Sequence, residues 1–301
     1  MRFGSYRQGM GAIGVTEKLI LINVAVFVLF ILLKTFTFLF QSENLINTLQ
    51  DWLIVPSSVR QLIFKPWVLF TYAFMHAGFW HLIGNMLILY FSGRFFLTYF
   101  SPKRLLNFYF LGAFAGALFF LLSYNLFPVF RESGNSKLLG ASAAVMAILV
   151  GVSTYAPHMM LRFFIFNLKL WWVAAFFVFK DLISIPISNP GGHIAHLGGA
   201  ALGFFYSKQL LKGRDIGAWF ERMLDTLVGF FSAKPKTPFK RVYKNKSKFM
   251  ARPGRYQADD LQETKAEKQE KIDAILDKIS KNGYDSLSKE EKEFLFSVSK
   301  D

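Results

Sequence analysis

Cysteine is missing from all 301 residues, which excludes disulfide bonds, thiolate nucleophiles and cysteine-based metal sites. Charge is scarce as well, since only 18% of the residues are charged whereas 53% are hydrophobic. Acidic residues are rarest in residues 1–212, where five Asp and Glu accompany 16 Lys and Arg. A segment this apolar excludes a wholly soluble enzyme. Residues 213–301, with 19 basic and 15 acidic side chains, are too polar to enter a bilayer.

Six apolar runs approach the length of about 20 residues that a membrane-spanning helix needs. The last three are interrupted by small or polar residues, which is typical of helices that turn polar groups towards the inside of a bundle. We therefore predict an all-α, polytopic membrane protein whose six-helix bundle occupies residues 18–212. The predicted spans are about 18–40, 82–100, 105–127, 138–156, 170–187 and 193–211.

Basic residues in the loops predict the orientation of this bundle, because cytoplasmic loops are enriched in Lys and Arg. With the N-terminus in the cytoplasm, the cytoplasmic flanks carry 11 basic residues and the outer loops carry four. Residues 1–17 contain no short apolar core followed by a cleavage site, so a cytoplasmic N-terminus is expected rather than a removable signal peptide. Six spans then make the C-terminal segment cytoplasmic too.

Two outer loops have unusual compositions. The first, about 41–81, contains Trp52, Trp67 and Trp80, and such aromatics favour the membrane interface, so part of this loop is expected in the outer leaflet. The fifth, residues 184–192, is uncharged and rich in Pro and Gly. A mobile cover and a plain tight connection both fit its composition.

Four polar side chains lie at a similar depth inside the predicted spans. Each stands near the start of an even-numbered span, and these spans all run from the outside inwards when the N-terminus is cytoplasmic. Singly, each has an ordinary explanation, such as helix packing for the serine or helix capping for a histidine. Their common depth favours one site near the outer surface, formed by His81, Asn85, Ser142 and His196.

These residue types suit nucleophilic catalysis. The hydroxyl of Ser142 needs a base to remove its proton, and a histidine such as His196 is the usual base near neutral pH. His81 and Asn85 are four residues apart and share one helical face, so with the Ser142 N–H they supply donors for an oxyanion. No Asp or Glu lies at this depth on the even-numbered spans, so we predict a Ser-His dyad rather than a full triad.

Small residues would let the spans that carry the dyad approach each other. Gly199 and Gly203 follow His196 by three and seven residues, a spacing that permits close backbone contact along one helix face. The fourth span offers Gly140 and several alanines as a matching small face. Close packing of the fourth and sixth spans would bring Ser142 to His196, although ordinary helix packing needs the same spacing.

Three motifs resemble those of the rhomboid family of intramembrane serine proteases, of the bacterial type. They are PWVLFTYAFMHAGFWHLIGNM (66–86), LGASAAVMA (139–147) and AHLGGAALG (195–203), and they follow in the family's order. The resemblance implies that Ser142 is the nucleophile, His196 the general base, and His81 and Asn85 the oxyanion donors. It also implies a serine endopeptidase in a bacterial inner membrane that cleaves transmembrane helices near the outer face. Substrates would enter sideways past the fifth span.

The sequence departs from the family pattern at two positions. Ala143 replaces the glycine that usually follows the serine, and its methyl group is expected to narrow the oxyanion site. Met146 replaces an aromatic residue that often packs on the catalytic imidazole, and methionine is a flexible substitute. His76 matches a further family histidine and is interpreted as structural.

Two other functions remain open on the sequence alone. One is a non-catalytic rhomboid-like protein that binds transmembrane helices. The other is a metal site or transporter that uses His76, His81, His193 and His196. No HExxH motif accompanies these histidines, so no metal or cofactor is predicted.

The polar C-terminal segment is predicted to comprise a basic linker, residues 213–258, and a helical hairpin tail, residues 259–301. Nine Lys and Arg but no acid occur in residues 234–255, a composition that attracts anionic lipid at about 1 kcal/mol per residue. A solvated linker is the alternative, and no nucleic acid partner is expected. In the tail, Ser288 and Glu291 have the spacing of a capping box that opens a second helix.

Overall fold

A computed structural model describes residues 13–131, 134–163, 166–231 and 265–298. The chain divides into two compact units, residues 1–236 and residues 237–301. The predicted cytoplasmic N-terminus, up to residue 12, and the basic stretch 234–255 lie outside the described residues.

The first unit is mostly helical. In chain order its elements are α1 (Val15–Leu39), α2 (Glu43–Asp51), β1 (Val55–Pro56), α3 (Val59–Ile63), α4 (Val68–Thr71), α5 (Phe79–Leu97), α6 (Pro102–Leu126), α7 (Pro128–Arg131), β2 (Lys137–Leu138), α8 (Ser142–Tyr155), β3 (Met160–Phe163), β4 (Phe166–Lys169), α9 (Leu170–Ser184), α10 (Pro190–Leu211) and α11 (Ala218–Phe231). Each predicted span overlaps a helix: α1, α5, α6, α8, α9 and α10. Among the described residues, α1 and α6 are long and apolar enough to be candidate membrane spans.

The centre of this unit is the packing of α8 against α6 and α10, which small residues make possible. Gly112 and Gly116 of α6 lie against alanines of α8, so added side chains there would collide with them. Gly199 and Gly203 of α10 lie over the backbone of α8. α8 itself is almost entirely buried. This close three-helix packing places the start of α8 beside the first turns of α10.

The predicted first loop folds into short helices that support the start of α8. Trp67 stacks on Trp52 with ring centroids 5.6 Å apart, and its indole N–H donates to the Trp52 carbonyl at 2.8 Å. Tyr72 is fully buried and donates its phenolic proton to the Ala113 carbonyl at 2.7 Å. The Tyr72 carbonyl accepts a hydrogen bond from the Gly140 N–H at 2.9 Å. The loop therefore fixes the backbone two residues before α8 begins.

Short strands that the sequence analysis does not predict accompany the mostly helical fold. β1 and β2 pair antiparallel, with Val55 opposite Leu138, so the predicted fourth span begins only at Ser142. β3 and β4 form an antiparallel hairpin between α8 and α9. Both sheets have only two strands, and they connect or brace helices rather than forming a layer of their own.

One helix occupies part of the segment predicted as a basic linker. α11 is amphipathic, and it is joined to α6 by an ion pair between Lys103 and Asp225 at 2.6 Å. Asn107 of α6 also donates to Glu221 at 3.1 Å. Residues 213–258 are therefore not a uniform linker, because residues 218–231 are helical.

The second unit contains two helices, α12 (Lys265–Asn282) and α13 (Lys289–Val298). The predicted capping box is confirmed, because the Ser288 N–H donates to the Glu291 carboxylate at 2.8 Å and the Glu291 N–H donates to the Ser288 hydroxyl at 3.2 Å. Lys278 of α12 also donates to Glu291, and this hydrogen bond lowers the pKa of that carboxyl.

Candidate active site

The predicted nucleophile and base meet in the structure. Ser142 is the first residue of α8 and His196 lies in the second turn of α10. The Ser142 hydroxyl is 2.6 Å from Nε2 of His196, which is hydrogen-bond distance for an O–H donor and a bare imidazole nitrogen. A base in this position can remove the hydroxyl proton as the oxygen attacks a carbonyl carbon.

The start of α10 is set by Asn189 and Pro190. Asn189 has a positive φ of 45° and caps the helix, since its side-chain oxygen accepts from the Gly192 N–H at 3.3 Å. Pro190 occupies the first turn, where its missing N–H costs nothing. Residues 190–192, predicted as part of the fifth loop, therefore belong to α10. Residues 185–189 alone connect α9 to α10.

Gly140 lets the oxyanion side of the site approach the serine. Its φ of +123° is a conformation that favours glycine, and an added Cβ would lie 2.8 Å from Cε1 of His81. The same Cβ would be 3.6 Å from the Ser142 hydroxyl. The missing side chain therefore creates the space in which His81 and Ser142 come together.

The two predicted oxyanion donors differ in their present hydrogen bonds. Nδ1 of His81 accepts from the Ala77 N–H at 3.4 Å, so the ring proton resides on Nε2, on the side of Gly140. The Asn85 amide group donates to the His81 carbonyl at 2.9 Å. Both residues line a cavity of about 190 Å³ together with Ser142 and His196. The Nε2–H of His81 and the second N–H of the Asn85 amide therefore have no hydrogen-bond partner among the described residues.

The two departures from the family pattern have different surroundings. The methyl group of Ala143 packs against Gly116 of α6, and Ala143 is not among the residues that line the cavity. Gly116 leaves the space that this methyl group occupies. Met146 lines the cavity, as expected from its position four residues after the serine.

Asp181 is the site residue that the sequence analysis missed. One of its carboxylate oxygens is 3.0 Å from Nδ1 of His196, and the other is 2.8 Å from Nδ1 of His193. Its side chain is only 2% exposed. The predicted dyad depends on the absence of an acid from the even-numbered spans, whereas Asp181 lies on α9, the fifth predicted span. A charged pair, Lys180 and Asp181, inside an apolar run was the signal that could have found it.

The four histidines considered above as possible metal ligands form two pairs. His76 lies beside His81, with ring centroids 5.2 Å apart, and His193 lies 5.9 Å from His196. Burial, and then the neighbouring His81 ring, lower the pKa of His76 to about 4, so this ring is neutral at physiological pH, in keeping with a structural role.

One three-residue group in the described part of the chain has the composition of a metal site. The ligand atoms of Asp181, His193 and His196 all lie within 4.8 Å of one another. Two of their separations are ordinary hydrogen-bond distances, 2.8 and 3.0 Å. His196 of this group is at the same time 2.6 Å from the Ser142 hydroxyl.

Comparisons with known proteins agree with the geometry. Residues 64–213 match the rhomboid domain, and residues 259–301 match a family of unknown function, DUF6576. The chain is 30% identical over 219 residues to RHOMBOID-like protein 12, mitochondrial, of Arabidopsis thaliana. The matched region covers 69% of this chain and 61% of that protein. It is also 32% identical over 166 residues to Rhomboid protein 1, mitochondrial, of Saccharomyces cerevisiae. This second matched region covers 49% of this chain and 45% of that protein.

The chain thus spans less than two thirds of either relative. Both relatives are named as mitochondrial, which gives no support to the predicted bacterial inner membrane. The domain match covers the loop before α5 and all of the helices that carry site residues. Residues 64–213 therefore form a rhomboid domain, and the chain belongs to the rhomboid family of integral membrane proteins.

Proposed function

We propose that this protein is an intramembrane serine endopeptidase that cleaves transmembrane segments of other membrane proteins near the outer face. The observation that carries the proposal is the 2.6 Å separation between the Ser142 hydroxyl and Nε2 of His196. A rhomboid-like protein that only bound helices would have no need for a nucleophile and a base at hydrogen-bond distance.

The proposed reaction has two steps. His196 removes the Ser142 proton, Ser142 attacks the scissile carbonyl, and His196 then protonates the leaving amine. Water hydrolyses the resulting acyl-enzyme with His196 again as base. The His81 Nε2–H, the Ser142 N–H and the second N–H of the Asn85 amide stabilise the oxyanion of each tetrahedral intermediate.

Substrates are proposed to enter sideways between α5 and α9. A second cavity, of about 160 Å³ and lined mostly by apolar side chains, lies between these helices. It shares Ile88 and Phe177 with the catalytic cavity, and this adjacency supports entry from the side of α5 and α9. Because peptide bonds in a stable helix are shielded, substrates should carry small or helix-weakening residues at the cleaved position.

The proposed topology has six spans with both termini in the cytoplasm, and the loop charges support this orientation. The site then lies near the outer face, where water reaches it. Anionic lipid at the basic stretch 234–255 is proposed as a further partner. The proposal names no particular cellular membrane, because the two relatives are named as mitochondrial.

We expect Ser142→Ala to abolish cleavage of a transmembrane substrate in liposomes and labelling by a fluorophosphonate probe, because no nucleophile remains. Ser153→Ala is the matched control, since Ser153 lies in the same helix and donates to the Leu149 carbonyl at 2.7 Å. Unchanged labelling of Ser142→Ala would reject the assignment. A wild-type protein that binds helices but is neither labelled nor active would favour the non-catalytic alternative.

We expect Asn85→Ala to lower kcat by about 10²- to 10³-fold with little change in KM, the usual effect of removing one oxyanion donor. One N–H of the amide donates to the His81 carbonyl at 2.9 Å, and its second N–H is left to donate to the oxyanion. Steady-state kinetics on a reconstituted substrate measure both constants. An unchanged kcat would mean that Asn85 does not donate to the oxyanion.

A further inference from the structure

We propose that Asp181 is a positioning residue for His196, so that Ser142, His196 and Asp181 form a triad in place of the expected dyad. The proposal rests on the proposed function, because it concerns the same reaction. Its basis is the 3.0 Å contact between the Asp181 carboxylate and Nδ1 of His196, on the side of the ring opposite to Ser142.

The first argument concerns the tautomer of His196. An ionised carboxylate accepts hydrogen bonds but donates none, so the proton of the neutral His196 ring must reside on Nδ1. Nε2 is then bare and accepts from the Ser142 hydroxyl, 2.6 Å away. When Nε2 takes the serine proton, the ring becomes positively charged, and the adjacent negative carboxylate stabilises that charge.

The second argument concerns the orientation of the carboxylate itself. Its other oxygen accepts from Nδ1 of His193 at 2.8 Å and lies 3.4 Å from the Lys180 ammonium. Burying a carboxylate to 2% exposure costs free energy unless both oxygens have partners. Here the two histidines and Lys180 supply those partners. With each oxygen held by a different histidine, the carboxylate has little freedom to turn away from His196.

The third argument concerns the helices that carry the three groups. Ser142 lies on α8, His196 on α10 and Asp181 on α9, so the triad depends on packing among three helices. His193 and His196 are three residues apart on one face of α10, and Asp181 faces both. The carboxylate therefore holds α9 to α10 beside the nucleophile.

The decisive variant is Asp181→Asn, which keeps the shape of the side chain but removes its charge. We expect kcat to fall by about 10²-fold or more while KM changes by less than about threefold, because the base is impaired but the cavity is not. The rate of fluorophosphonate labelling of Ser142 should fall in parallel. The kcat of Asp181→Glu should be at least about tenfold higher than that of Asp181→Asn, because glutamate restores a carboxylate. Asp181→Ser, which is smaller and neutral, replaces Asp181→Asn should that variant fail to fold.

Asp215→Asn is the matched control, because Asp215 accepts from Tyr206 at 2.6 Å and from Arg104 at 2.6 Å and contacts no site residue. It should lower the melting temperature in detergent without lowering kcat. A folded Asp181→Asn protein with wild-type kcat would overturn the proposal, as would wild-type cleavage that is lost on chelation, since Asp181 would then be a metal ligand. If Ser142→Ala is inactive in the same assay, such a result leaves the proposed function intact.

Discussion

Replacing His196 by asparagine is expected to lower kcat/KM for a transmembrane substrate by about 10⁴-fold or more, because Ser142 loses the base that removes its proton. Asparagine keeps a polar side chain but cannot accept a proton near neutral pH. The same variant should also lose fluorophosphonate labelling, since the probe reports on activation of the serine hydroxyl, which is 2.6 Å from Nε2 in the wild type.

The double variant Ser142→Ala/His196→Asn makes this prediction specific to a shared mechanism. Groups that act as one unit are strongly non-additive, so the double variant should be no less active than Ser142→Ala alone. His158→Asn is the matched control, because His158 is exposed in the turn after α8, away from the site. A multiplicative loss in the double variant would contradict the arrangement, since it would mean that the two residues act independently.

The juxtaposition of Ser142 and His196 could be predicted because it depends on two local features. Both residues stand at the outer ends of predicted spans, and both spans carry small residues on one face. The depth follows from counting the spans, and the contact follows from the close approach that Gly199 and Gly203 permit. Neither step requires knowledge of a side-chain rotamer.

Asp181 could not be placed in the same way, because its role depends on which face of α9 turns towards α10. α9 is apolar around most of its circumference, so the sequence does not indicate a buried face. The pairing of β1 with β2 was hidden for a similar reason. It joins residues far apart in the chain through two short strands, Val55–Pro56 and Lys137–Leu138, which have no periodicity of their own.

α11 was missed for a different reason. The nine basic residues of 234–255 favour a linker, whereas the stretch 218–231 before them has apolar residues at helical spacing. Its ion pair with Lys103 of α6 shows that this part of the chain packs against the bundle. The composition of a whole segment therefore concealed a periodic element within it.

Gly199→Ala is expected to destabilise the protein by about 3 kcal/mol and to lower the rate of cleavage by roughly 10²-fold, because an added methyl group would collide with the Ala143 carbonyl oxygen. Both colliding partners belong to helix backbones, so neither can turn aside, and α10 must move away from α8. Ser142 precedes Ala143 directly, and His196 lies one turn before Gly199. A displacement of about 1 Å at this point costs roughly 10²-fold in rate.

Two further variants separate packing from chemistry. In Gly203→Ala the methyl group would meet the Ala147 carbonyl, one turn further from the site, so the melting temperature should fall as much as in Gly199→Ala while more activity remains. Gly229→Ala in α11 is the control, since a Cβ there meets no described atom within 4 Å. Thermal unfolding in detergent and kcat on a reconstituted substrate measure the two effects. A Gly199→Ala protein with wild-type melting temperature and kcat would show that the α8 and α10 backbones are not in contact at this position, and the 2.6 Å separation of Ser142 and His196 would then lose its structural basis.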